Sequence, residues 1–369
     1  MDSKSEEGKH PFNYVLNVMP LGMMYGSSGA FLSPENLVGR SGDKFPPDAA
    51  TIAGLIVSQI SGGETVRKSI ARNLKVAGPF IGTANSSGRV GDIYVPIPRT
   101  YSIANNPKNS TSRIVAQWSL SSYPNQAGLD YHEKLAWKCD HEDITADYTW
   151  QKIDKFEDFI NGNLKKIKKS SIEAKNMSDF RSYNPILHPW LKANQRCVKG
   201  EGGLFLENSV QMADNVFLVY LSSHALEKNV DWYRLGGEGH LAEISCDELA
   251  KRFDTFNKLL NQPIQRAFAL ITPAVWGSNR LSERYPTNWD FKVEALLTDK
   301  PVPFRHRLGG QLRRGRYAVP AGSVYVLDRP IDKPWYQWDE DWFPREGLSL
   351  KRFGTGLCLP IQIPGLDDD

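Results

Sequence analysis

Cysteine is scarce in this 369-residue chain: Cys139, Cys197, Cys246 and Cys358 are far apart, and no C-x-x-C pair occurs. That spacing argues against both a disulfide framework and a zinc ribbon. Long apolar runs are missing too, and none approaches the ~18 residues of a transmembrane helix. The opening, MDSKSEEGKHPF, is polar and charged with no hydrophobic stretch behind it. It reads as no signal peptide, and the expected location is cytoplasmic, with no membrane partner. Catalytic signatures are equally absent: no G-x-S-x-G elbow, no H-E-x-x-H and no D-x-D-x-D-G loop. What is present is the balance of a folded protein, 40% apolar and 24% charged, which excludes disorder. The length fits one large domain or two of ordinary size. A net charge of +3 says little globally, so local charge has to carry any argument about partners.

Residues 13–18 alternate like a strand that stops at Pro20, and a Gly/Ser-rich stretch follows to about Gly42. The segment FPPDAATIAGLIVSQI predicts a helix. Asp48 follows two prolines as a cap, and Ile52, Leu55, Ile56 and Ile60 recur at helical spacing. Gly54 inside it costs about 1 kcal/mol relative to alanine, so a close neighbour is expected there. Residues 78–130 read as loop-rich, and 131–200 as charged and irregular, including the basic run Lys165–Lys169. Regular alternation returns later. Strands are expected near 215–222, 230–235, 267–271, 291–297 and 319–327. A helix is expected near 247–260 with Leu249, Phe253, Phe256 and Leu260 as its stripe. Strands and helices thus mix, with antiparallel spacing, which predicts an α+β fold.

Three segments could meet RNA. The loop Gly236, Gly237, Glu238, Gly239, His240 lets backbone N–H groups face phosphate; its bland alternative is a tight strand-to-strand turn. From Lys300 to Leu327 the chain carries Arg305, Arg307, Arg313, Arg314 and Arg316 with His306 and no acidic residue. Arginine forks match phosphate bidentately and stack on bases, so this is the strongest physical signal. Near the end, Lys351 and Arg352 run into the turn Gly354–Thr355–Gly356. His132, Cys139, His141 and Glu142 match no zinc spacing, so neither a metal nor any other cofactor is expected. The aromatic stretch Trp335, Tyr336, Trp338, Trp342, Phe343 is expected to pack rather than to stack on bases.

Four segments read together resemble a known family. FPPDAATIAGL (45–55), RLGGEGH (234–240), YAVPAGSVYVL (317–327) and FGTGLCLPI (353–361) are similar, in order and spacing, to subunit three of the type III-B CRISPR effector, the Cmr complex, a RAMP-module family. Two features depart from the family: MMYGSSGAF stands where a Phe-Arg-Asp-type motif is usual, and Leu55–Ile56–Val57 where a basic residue often ends the helix. The resemblance implies two ferredoxin-like (RRM-like) modules with large loop insertions. They are expected over 10–200, with an insertion at about 80–200, and over 201–369. It also implies a non-catalytic scaffold holding the 5′ repeat-derived tag of the guide RNA. That scaffold sits beside the large Cas ten-type subunit and the backbone subunit, with target RNA as a further possible contact. The glycine loop and arginines would touch phosphate, while Ala321, Gly322, Ser323 and the 352–356 turn would line the groove. A metal-independent endoribonuclease using His240 or His306 is the alternative. Subunits of obligate complexes also expose apolar surface when free.

Overall fold

The computed structural model describes residues 9–25, 45–106, 109–123, 134–141, 144–160, 173–192, 194–198, 200, 203–237, 239–308 and 311–366. Arg40, Asp43, His132, Glu142, Lys165–Lys169 and Glu238 lie outside them.

Strand β1 (Tyr14–Pro20) is apolar on both faces, with Val15 on one and Leu16 and Val18 on the other, as a central strand requires. It pairs antiparallel with β11 (Val216–Ser222) and with β13 (His240–Glu248). β11, buried along its whole length, pairs in turn with β3 (Val76–Ala84). The row β13-β1-β11-β3 is the fourth, first, third and second strand of one unit, the order of a ferredoxin-like module. Helices α1 (Ala49–Gln59) and α2 (Glu64–Asn73) make its first crossover. In place of a second helix, β12 (Val230–Leu235) folds back on β13, while β4 (Val90–Pro96) and β8 (Trp150–Lys152) extend the other end. The sheet therefore closes across residue 200, and the expected boundary there coincides with no break in it.

A second sheet, β15 (Val293–Leu297), β20 (Val324–Leu327), β14 (Ala267–Leu270) and β23 (Cys358–Pro360), repeats the same order in reverse. Its crossovers hold no α-helix among the described residues. Aromatic side chains cover the sheet instead: Phe268 stacks on Tyr325 with ring centres 5.0 Å apart, and Trp338 and Trp289 close over Phe268. The expectation that Trp335, Trp338, Trp342 and Phe343 pack inward agrees with their burial.

The stretch expected to be loop-rich contains most of β3, then β4, β5 (Tyr101–Asn106) and β6 (Asn109–Tyr123); the irregular stretch after it contains β7 (Lys134–Cys139), β8 and β9 (Arg181–Pro189), and β10 (Leu204–Met212) follows just beyond it. β6 reads NSTSRIVAQWSLSSY; serines and threonines fill most of its polar positions, and although Val115, Ala116 and Leu120 are buried, no period-two apolar alternation announces the strand. Likewise the helix near 247–260 is two short ones, Leu249–Arg252 and Asp254–Leu259, broken at Phe253 (φ −135, ψ 64). α1 lies where expected, but Gly54 is exposed and a Cβ there would meet nothing within 4 Å. The neighbour that would justify a mid-helix glycine is not supplied by the described part of this chain.

Candidate nucleic-acid interface

The basic segment folds as two small ribbons. β16 (Val302–Phe304) pairs with β19 (Arg316–Ala318), and between them β17 (Arg307–Leu308) pairs with β18 (Gln311–Leu312). The Arg313 N–H donates to the His306 carbonyl at 2.9 Å, and Arg305 Nε donates to the Arg313 carbonyl at 2.7 Å. This fixes the hairpin, which packs against α1 through β17. Arg307 and Arg314 are exposed and Arg313 is half-buried, and none of the three makes an ion pair among the described residues. A cation left without a carboxylate on a rigid hairpin is available to an outside anion.

Arg316, expected beside them, is 4% exposed and faces inward. In β19 side chains alternate, so Arg316 and Ala318 point in and Tyr317 points out. Its guanidinium donates to Glu346 Oε1 at 2.7 Å and to the carbonyls of Ser278 and Asn279. Glu346 belongs to a third ribbon, β21 (Arg345–Glu346) and β22 (Leu348–Ser349). His306 is also buried, 5.2 Å from the Phe353 ring. These two cannot meet RNA in this conformation.

The remaining basic and glycine positions lie at the seam between the sheets. Lys351 is buried; its Nζ donates to the Tyr336 carbonyl at 3.0 Å and to the Trp338 carbonyl, with the Trp335 and Phe343 rings 5.5 Å away. Arg352 donates to the carbonyls of Ala71 and Leu74 and so caps the C-terminal end of α2. Gly354 has φ +63, and a Cβ on it would lie 2.3 Å from that of Ala77 in β3. A Cβ on Gly356 would lie 2.6 Å from the Trp276 ring. Gly322 (φ +84) lies under the Ile97 carbonyl, and Ser323 donates to the Pro320 carbonyl at 2.7 Å. Ala321 is half-buried beside them. Close approach is what these glycines provide, but the partner is the chain itself.

Burial pushes the Lys351 ammonium down to about 8, with Glu340 opposing and Lys75 adding. Between that value and the ordinary 10.5 the unfolded chain binds more protons than the folded one. Stability therefore rises with pH across this window, by up to about 1.4 kcal/mol per pH unit, and is lost as pH falls through 8. Lys351→Met is expected to flatten that dependence, read as the urea midpoint of each protein at pH 8 and 10.5.

The loop 236–240 is the β12–β13 turn, with Gly236 (φ +73) and Gly239 (φ +68) left-handed and Gly237 open to solvent. His240 Nε2 accepts the Tyr25 N–H at 3.2 Å. Tyr25, in β2 (Met24–Tyr25), also lies 5.8 Å from His188, which contacts Glu207 at 3.4 Å. α1 links this turn to the arginine hairpin, since it packs against both β12 and β17. Of the two histidines that the ribonuclease reading could use, His306 is buried and His240 already accepts a backbone N–H. A second basic surface escaped the sequence: α2 has no buried residue and exposes Arg67, Lys68 and Arg72. It lacks an apolar stripe, although Gly62–Gly63 before Glu64 and Arg72 in the last turn mark its ends.

A family model for CRISPR-associated protein (Cas_Cmr3) matches residues 30–362. The chain belongs to that family. It is therefore a subunit of the type III CRISPR effector kind, a family of structural, RNA-associated subunits. No curated protein matches it. Among solved structures, a chain of the type III-B Cmr-beta complex bound to cognate target RNA is 12% identical, with a TM-score of 0.43, over 85% of this chain and 86% of that one. A chain of the Csm3–Csm4 subcomplex of the type III-A interference complex is 14% identical, with a TM-score of 0.40, over 86% and 94%. A chain of the Csm1–Csm4 cassette in complex with pppApA is 10% identical, with a TM-score of 0.37, over 86% and 87%. No helix among the described residues is long and apolar enough to cross a membrane.

Proposed function

We propose that this Cas_Cmr3 family member is a non-catalytic scaffold that holds the 5′ repeat-derived tag of the guide RNA. It works beside the large Cas ten-type subunit and a backbone subunit, within reach of target RNA. One observation carries the reading: among the described residues, Arg307, Arg313 and Arg314 are left without carboxylates on a hairpin that packs on α1, the helix whose Gly54 has an open side. The phosphate backbone would run over Gly54 and Ser58 between that hairpin and the 236–240 turn. There Gly236, Gly237 and Gly239 offer backbone N–H groups. Arg67 and Arg72 of α2 add charge along the same path.

Gly54 separates this reading from an accident of sequence. Gly54→Ala is expected to stabilise the chain by about 1 kcal/mol, because the position is an exposed helix interior. If RNA lies against the helix there, the added methyl also weakens guide binding. Raised stability with unchanged RNA affinity in a filter-binding titration contradicts the proposed path. Cleavage of repeat RNA in chelator, abolished by His240→Ala, would instead establish the ribonuclease alternative.

A further inference from the structure

The large sheet is covered on the face that carries Val15 and Val219, where Phe253, Phe256 and the second sheet close over it. Toward β13 and β12 that cover stops. Register places Val230, Trp232 and Arg234 on this face, opposite Ser245, Glu243 and Leu241, with Asn17 and Met19 next along on β1. Trp232 is 65% exposed and Leu241 47%; Val230 is exposed too, as is Leu21, whose N–H donates to the Leu241 carbonyl. Single exposed apolar residues need no explanation, whereas a contiguous strip on a rigid sheet marks a binding surface.

Two observations decide what binds. Asp231 accepts the Trp232 N–H at 2.8 Å and pairs with Lys228, which blunts the outer edge of β12 against an added strand. The occupant therefore lies on the face. Beside the apolar strip the charge is acidic: Glu243 accepts the Trp232 indole N–H at 3.1 Å and Asp247 accepts the Asn17 amide at 2.9 Å, and Arg234 is the one cation that β12, β13 and β1 place on this face. Phosphate would be repelled, so the occupant is protein and not RNA.

We infer that this strip is the docking site of a protein subunit that sets an apolar side chain against Trp232 and a lysine or arginine beside Glu243 and Asp247. The inference rests on the chain's place in a multisubunit effector and is independent of the path of the RNA.

Hydroxyl-radical footprinting of the full chain, alone and in the co-expressed effector, tests it. Oxidation of Trp232 and Leu241 is expected to be high in the free chain, low in the complex, and unchanged by ribonuclease. Trp232→Ala, at a side chain 65% exposed, is expected to leave the thermal midpoint of the free chain in place. It should also weaken capture of one protein subunit roughly 30-fold, read by native mass spectrometry over a titration. Protection that ribonuclease releases assigns the strip to RNA, and protection already present in the free chain assigns it to this chain itself or a second copy. Either result overturns the inference, as does equal oxidation in both states or full subunit retention by Trp232→Ala.

Discussion

Replacing Arg307, Arg313 and Arg314 together by alanine is expected to weaken guide-RNA binding by roughly 50-fold near physiological salt, with little loss of stability. The number follows from counterion release. Each phosphate neutralised on a single strand contributes ~0.7 to the salt slope, hence about 0.6 of a decade at ~0.15 M salt, and three such contacts give nearly two decades. The slope itself is expected to flatten by about 2. Arg305 is left in place because it ties the hairpin to the Arg313 carbonyl, so its loss would mix folding with binding. Titrations of each protein with tagged guide RNA over a series of salt concentrations make the measurement. A variant with unchanged affinity and slope would remove the hairpin from the interface.

Arg316→Ala belongs to the same run of sequence, yet the expected effect is of another kind. The Arg316 side chain is 1% exposed and that of Glu346 9%, so truncation leaves a nearly buried carboxylate without its cation and two carbonyls without donors. Breaking a buried pair from one side costs about 3–5 kcal/mol. The urea midpoint should fall sharply, and RNA affinity should change only as far as the folded fraction does. Arg316→Met combined with Glu346→Met removes both charges and is expected to regain much of the loss. If Arg316→Ala is as stable as the parent chain and loses RNA binding, its side chain faces the ligand and the hairpin is arranged differently.

These two outcomes show where the sequence stopped being informative. A run of five arginines without an acid was visible, and the functional reading treated them alike. What divides them is β-strand parity set by the pairing of Val302–Phe304 with Arg316–Ala318, together with a carboxylate thirty positions away. Parity can be guessed from Arg–Tyr–Ala alone, but the partner cannot. The same holds for the glycines. Gly354 and Gly356 were legible as a turn, but Ala77 and Trp276, which they approach, are distant in sequence. Gly54 was the converse case, with a close neighbour expected and none found.

Strongly periodic elements came through well, among them β1, β11, β12 and the N-terminal end of α1. β6 was hidden because serine and threonine can fill the polar face of a strand as readily as a loop, and α2 because nothing on it is buried. That both sheets share one strand order rests on pairings such as Tyr14 with Glu248, which no local pattern reports. In the second sheet, aromatic packing stands where helices would be, so the helical periodicity that would have announced the module is missing.

The central claim is that guide RNA lies across α1 between the 305–314 hairpin and the 236–240 turn. Ultraviolet crosslinking of the assembled effector, followed by mass spectrometry of the nucleotide-bearing peptides, tests it most directly. The account predicts crosslinks from the 5′ tag to residues within 305–314 and 236–240, and none to the seam around Lys351–Gly356. Tag crosslinks confined to other surfaces of this subunit, or to other subunits altogether, would contradict it.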